Sequence, residues 1–374
     1  MLALVSAVAV LGPLLAVPQR WHLPVVLGEL LIGVALGRTG AGLVDAGDRT
    51  FAFLASVGFV LVMFVAGTHV PIRDPRLRGA LGVGALRAAG VGVLAVPVGF
   101  GIARLFDTGH PGLYAVLLAS SSAALVVPIV DSLHLTGEPI LQLLPQVAIA
   151  DTACIVALPL AIDPGHAGRA ALGASAVIAG SAVLFGMLWY LERSGLRHRV
   201  HKVSEDRKFA VELRVNLAIV FALAALATVT HVSVMLAGFG YGLAVAAVGE
   251  PRRLARQLFA VTEGFLGPLF FVWLGASLDL RALGLSYTAL GLLLGVGAVL
   301  VHLAMRVNGQ PVAVGGLAAA QLGVPVAAAT VGTQLHVLAP GEAAALIVGA
   351  LLTIAVAILS GAVMPSAKSP AGSR

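Results

Sequence analysis

Long apolar runs separated by short polar segments fill the chain from end to end. The runs last about 18 to 25 residues, the length at which a helix rising 1.5 Å per residue crosses a hydrocarbon core of ~30 Å. In such a core the backbone must satisfy its own N–H and C=O groups, so each run is a helix or a strand of a closed barrel. Barrel strands alternate apolar and polar positions over about ten residues, and these runs are longer and apolar on every face. The pattern predicts an all-α polytopic membrane protein with about thirteen transmembrane helices. They fall at residues 2–17, 24–36, 51–70, 80–105, 113–133, 140–162, 170–191, 209–228, 232–248, 258–278, 283–305, 311–335 and 343–363.

Basic residues test that count, because cytoplasmic loops carry an excess of Lys and Arg. With thirteen spans, loops on one side hold seventeen of the 23 Lys and Arg, and those on the other hold five, Arg38, Arg49, Arg104, Arg169 and Arg281; Arg87 alone falls inside a span. One helix missed or invented near the middle would scramble this split. The rule therefore puts the N-terminus outside and the C-terminus in the cytoplasm. Composition agrees, with 59% hydrophobic and 11% charged residues against roughly 25% charged in soluble domains. The net charge of +6 sits in short loops, where it reports topology and calls for no nucleic-acid partner. Cys154, the one cysteine, excludes a disulfide framework, and no Cys or His cluster has metal-ligand spacing. The apolar run after Met1 lacks the positive flank of a secretory signal and reads as the first span.

An internal echo suggests two homologous halves. Leu27-Gly28-Glu29-Leu30-Leu31-Ile32-Gly33 resembles Leu236-Ala237-Gly238-Phe239-Gly240-Tyr241-Gly242 at a shift of 209, and Met63 to Thr68 resembles Phe271 to Ala276 at 208. Spans 1 to 6 (about 2–162) would then repeat as spans 8 to 13 (about 209–363), with a connector helix and basic loop at about 170–208. An odd number of helices between the halves inverts them in the membrane, an arrangement that places substrate where the halves meet.

Three acids lie well inside spans, Glu29, Asp151 and Glu263, and an intramembrane charge is costly enough to need a reason. Asp151 sits halfway along the sixth span, in Gln146-Val147-Ala148-Ile149-Ala150-Asp151-Thr152-Ala153-Cys154, with no basic partner in its helix. A lone carboxylate at that depth is either a structural group hydrogen-bonded to neighbouring hydroxyls or a site where a proton and a cation compete for one charge. Glu29 and Glu263 lie nearer span ends and read as structural or interfacial. Ser120-Ser121-Ser122 followed by Pro128 in the fifth span, and Gln321-Leu322-Gly323-Val324-Pro325 in the twelfth, combine polar groups with helix breakers. Broken helices expose carbonyls and half-helix ends that coordinate a desolvated ion. The candidate cation/proton site is Asp151 with Ser121, Ser122, Thr152 and Gln321. Arg87 lies close enough to its span end to snorkel. His302, one turn before Arg306, reads either as a pairing or pH-sensing imidazole or as a packed helix-end residue.

These residues resemble a known family. Ser121-Ser122-Ala123-Ala124-Leu125-Val126-Val127-Pro128, then Ala150-Asp151, then the run from Pro268 to Leu280 (PLFFVWLGASLDL), are similar to the sodium/hydrogen exchanger domain of the bacterial monovalent cation/proton antiporter-2 family. The resemblance covers almost the whole chain. It implies a dimerisation scaffold of spans 1 to 3 and 8 to 10, a mobile core of spans 4 to 6 and 11 to 13, and two broken helices crossing beside the ion-binding aspartate, which matches Asp151. It also implies alternating access in a bacterial inner membrane, with Na+ or K+ exchanged for H+, a homodimer in the bilayer and no cofactor. Three departures stand out. Electrogenic relatives carry two adjacent acids where this chain has Ala150-Asp151, which favours electroneutral exchange. A Thr that often follows the paired serines is Ala123. A basic residue common in span 11 falls near His302 or near Gly297, depending on the register.

Relatives in potassium efflux append a nucleotide-binding domain. This chain ends within about ten residues of its last span, so one transmembrane domain is expected, and any cytoplasmic regulatory subunit would be a separate chain. The alternatives to exchange are a non-transporting membrane sensor or subunit that keeps the fold, and a Na+-coupled solute symporter. No metal-binding His-Glu constellation or serine with a plausible base supports an enzyme.

Overall fold

The computed structural model describes residues 25–68, 79–194, 211–229, 234–249 and 252–364. Every described regular element is helical: α1 Val25–Leu36, α2 Arg49–Thr68, α3 Leu81–Phe106, α4 Pro111–Ala119, α5 Ala123–Ser132, α6 Glu138–Ile162, α7 Ala167–Arg193, α8 Val211–Val229, α9 Val234–Val248, α10 Arg252–Val261, α11 Gly267–Ser277, α12 Gly284–Leu303, α13 Val312–Ala318, α14 Gly323–Gln334 and α15 Pro340–Ala362. Among the described residues, nine helical stretches are long and apolar enough to cross a membrane, and α8 and α9 are shorter apolar helices. The second to thirteenth predicted spans each find helix among the described residues. The first span, the basic loops at 69–78 and 195–210 and the tail beyond 364 lie outside the described residues.

The chain divides into two compact units, Met1–Arg73 with Gly165–Asp279, and Asp74–Pro164 with Leu280–Arg374. Of the described spans, 2, 3 and 8 to 10 fall in the first and 4 to 6 and 11 to 13 in the second. The connector α7 belongs to the first.

In the first unit, glycines let backbones touch. A Cβ added at Gly33 on α1 would lie 3.0 Å from Gly275 Cα on α11, and one added at Gly242 on α9 would lie 2.9 Å from Gly67 Cα on α2. Each of these glycines also faces a backbone carbonyl across the contact: Gly33 that of Val272, Gly275 that of Leu30, Gly242 that of Phe64 and Gly67 that of Phe239. The two contacts exchange under the sequence shift of 208 to 209, since Gly33 corresponds to Gly242, and Gly67 to Gly275. Glu29 is buried in this unit, whereas Glu263 is exposed in a π-helical turn, Thr262–Leu266, between α10 and α11.

The second unit carries the breaks. The fifth span separates into α4 and α5 around an extended Ser120 and Ser122, and the twelfth into α13 and α14 around 319–322. The prolines do not make them. Pro128 lies inside α5, and Pro325 occupies the first turn of α14, where its missing N–H would be unpaired anyway. Left-handed residues also recur at one spacing: Asp107 (φ 50°) and Gly309 (φ 75°) end corresponding helices, as do His134 (φ 51°) and His336 (φ 56°). Both pairs lie 202 residues apart.

Candidate functional site

Asp151 lies on α6 with 4% of its surface exposed. Its Oδ2 accepts a hydrogen bond from the backbone N–H of Ala123 at 2.9 Å. Ala123 is the first residue of α5, so the carboxylate faces the N-terminus of a half-helix, where unpaired N–H groups and the helix dipole favour negative charge. The hydroxyl of Ser122, the residue preceding that helix, does not cap it. The carboxylate of Asp151 takes that place.

The two breaks meet beside this point. Ser121 Oγ donates a hydrogen bond to the carbonyl of Ala318, the last residue of α13. Gln321 Nε2 donates to the Ser120 carbonyl at 3.1 Å. The Gln321 backbone N–H goes to Thr353 Oγ1 on α15 at 3.2 Å, and that hydroxyl donates to Ala350 O at 2.7 Å. His302 on α12 is buried. Its Nδ1 donates to Ala298 O at 2.8 Å, and its Nε2 stands 3.4 Å from Ser121 Oγ. A neutral imidazole donating from Nδ1 leaves Nε2 as an acceptor. The single hydroxyl hydrogen of Ser121 then has two acceptors, Ala318 O and His302 Nε2.

Of the residues singled out in the sequence, Asp151, Ser121, Ser122, Gln321 and His302 therefore collect around the two breaks. Thr152 does not join them; its hydroxyl donates to Ala148 O in its own helix at 2.8 Å. Between the two registers for span 11, His302 reaches the break, whereas Gly297 packs against Leu118 and Val98. Ala123, where a Thr ligand would stand, contributes its backbone amide. Arg87 does not snorkel, being only 3% exposed.

Thr353 escaped notice in the sequence, because one hydroxyl in an apolar run is unremarkable. Its position along its helix held the signal. Asp151 lies thirteen residues beyond the start of α6 at Glu138, and Thr353 thirteen beyond the start of α15 at Pro340. Each side chain accepts a backbone N–H at a break, so Thr353 makes at the second break the kind of contact that Asp151 makes at the first. A second missed group sits near the entry of α4 and α15. Glu342 Oε1 accepts from Tyr114 Oη and pairs with His110 Nδ1, each at 2.7 Å. The Glu342 side chain beside it holds the His110 imidazole above its ordinary range.

A buried carboxylate at the junction of two broken apolar helices, in a chain with many spans, defines a polytopic membrane protein built like a secondary transporter. A family model described as "Sodium/hydrogen exchanger, transmembrane" matches residues 6–364, and the chain belongs to that family, one of ion exchangers rather than enzymes. It is 26% identical over 94% of its length to YjbQ of Bacillus subtilis, whose name assigns it to Na(+)/H(+) antiport, and 28% identical over 73% to the Na(+)/H(+) antiporter NhaS5 of Synechocystis. The chain spans 60% of the first relative's length and 39% of the second's. The sodium proton antiporter MjNhaP1 of Methanocaldococcus jannaschii has the same fold, with a TM-score of 0.66 at 17% identity, covering 96% of this chain and 94% of that one.

Proposed function

We propose that this chain exchanges a monovalent cation, Na+ or K+, for H+ by alternating access, with Asp151 as the shared site. The observation that carries the reading is the Asp151 carboxylate, buried on the Ala123 amide where two broken helices meet. A dehydrated cation finds there a carboxylate, the Ser121 and Ser122 hydroxyls and the carbonyls that the breaks leave outside the helices; Gln321 fixes one of these, at Ser120. A proton on the carboxylate provides the same neutralisation, so the two ligands exclude one another. With Ala150 beside Asp151 there is one carboxylate to share, which supports one-for-one, electroneutral exchange.

The exchanged glycine contacts and the 202-residue spacing support an inverted repeat, with the halves at about 2–162 and 209–363. The unit holding spans 4 to 6 and 11 to 13 is the moving core of this reading. The other is the scaffold, through which the chain forms a homodimer in the cell membrane, N-terminus outside and C-terminus in the cytoplasm.

Exchange by purified protein in proteoliposomes tests the proposal, with Na+, K+ and Li+ compared at several pH values, with and without a membrane potential. Asp151→Asn keeps an oxygen for the Ala123 N–H and loses the charge, so it is expected to fold and to show no cation-induced proton release. Unchanged exchange by this variant rejects Asp151 as the site. Wild-type protein that exchanges none of these ions would favour the sensor reading that Ala150 and Ala123 motivate.

A further inference from the structure

A second buried polar cluster lies in the unit that carries the breaks, and cation/proton exchange does not use it. Arg87 on α3 is 3% exposed, Gln146 on α6 1% and Gln310 2%. Gly84, one turn before Arg87, lies so close to α6 that an added Cβ would stand 2.8 Å from the backbone N of Gln146. Gln310 Nε2 donates to Gln146 Oε1 at 2.9 Å. Arg87 Nη2 makes a long 3.4 Å bond to the carbonyl of Asn308, two residues before Gln310. One turn of α3, one turn of α6 and the 308–310 connection thus bring these polar side chains together.

The groups left over have a definite sign. Arg87 Nε, Arg87 Nη1 and Gln146 Nε2 are buried donors without acceptors, and only Gln310 Oε1 is a buried acceptor without a donor. Flipping both amides preserves their mutual bond and leaves the same excess of donors. Among the described residues Arg87 has no carboxylate partner, and a buried guanidinium remains charged at any accessible pH. A water molecule accepts hydrogen bonds but cannot neutralise the charge, and an uncompensated buried charge is strongly disfavoured.

We propose that Arg87 and Gln146 form a binding site for a small inorganic anion of halide size. A spherical anion accepts from all three donors at once, whatever their directions. A tetrahedral oxyanion would bring further oxygens with no orphaned donors left for them. The site is independent of the exchange reading and is tested without transport.

The test is thermal unfolding of the purified full-length chain in detergent, with gluconate replaced stepwise by chloride or bromide at constant ionic strength. The wild-type Tm is expected to rise and saturate with either halide, as for a ligand held by the native state alone. Arg87→Gln is expected to lose that response. Gln146→Glu places a carboxylate in the cluster and is expected to be stable in gluconate and indifferent to halide. A wild-type Tm that does not change between gluconate and halide overturns the site and leaves water as the occupant. A rise that is unsaturated and equal in Arg87→Gln is a general salt effect and overturns it as well. If Arg87→Gln does not fold, the wild-type titration and Gln146→Glu decide.

Discussion

Replacing Thr353 by Val removes one oxygen and changes almost nothing else. The side chain is fully buried, and Val fills the same volume, so no cavity enters the result. Two hydrogen bonds go. The one donated to Ala350 O is the cheaper loss, because that carbonyl keeps its helical partner on α15. The one accepted from the Gln321 N–H, at 3.2 Å, leaves a buried amide at the second break with no acceptor. An orphaned buried donor costs about 1–3 kcal/mol, which is the expected loss of stability on thermal unfolding. Gln321 also holds the Ser120 carbonyl through Nε2, so a loosened Gln321 disturbs the first break too, and slower exchange is expected with the fold intact. Thr353→Ser keeps the hydroxyl and should restore exchange even where its smaller volume costs some stability. Wild-type stability and exchange rate in Thr353→Val would refute the argument that this hydroxyl holds the second break.

His110 and Glu342 should give a stability difference that depends on pH. The pairing raises the folded-state pKa of His110, so the bond contributes fully below the ordinary imidazole value of about 6.5 and is lost as pH rises through the higher folded value. Unfolding of His110→Gln and wild type across pH should therefore differ most in mild acid and converge in alkali, and a gap constant with pH refutes the assignment. At Gly275 an added methyl would lie 2.8 Å from Val34 N and 3.0 Å from the Gly33 carbonyl carbon. Forcing α1 and α11 apart costs about 1–3 kcal/mol, so Gly275→Ala should unfold at lower temperature. Gly264→Ala, where nothing lies within 4 Å, is the control, and equal behaviour of the two refutes the close contact.

What the sequence made legible depended on whether a property was local. Helices announced themselves because a membrane demands long apolar runs, and Asp151 because a charge within one is conspicuous. The breaks were legible as regions but were attributed to proline, whereas the chain opens at Ser120 to Ser122 and at 319–322, well ahead of Pro128 and just ahead of Pro325. Thr152 looked like a ligand through adjacency, yet a hydroxyl one residue along a helix turns about 100° away and finds its own backbone. Pairings between distant segments, such as Glu342 with His110 and Gln310 with Gln146, leave no trace in either segment alone. Arg87 follows the same rule: its position near a span end suggests an escape to the surface, whereas the packing of α3 on α6 leaves it buried.

The bare glycine contacts between α1 and α11, and between α2 and α9, have a mechanical meaning. Where side chains separate two helices, rotamers can shift and the pair can slide by fractions of an ångström at modest cost. Two backbones in direct contact have no such cushion, and repulsion climbs steeply with the first tenths of an ångström. These junctions act as rivets. Helices riveted at the backbone in two places resist sliding past one another, so rearrangement within this unit falls to layers where side chains still stand between the helices.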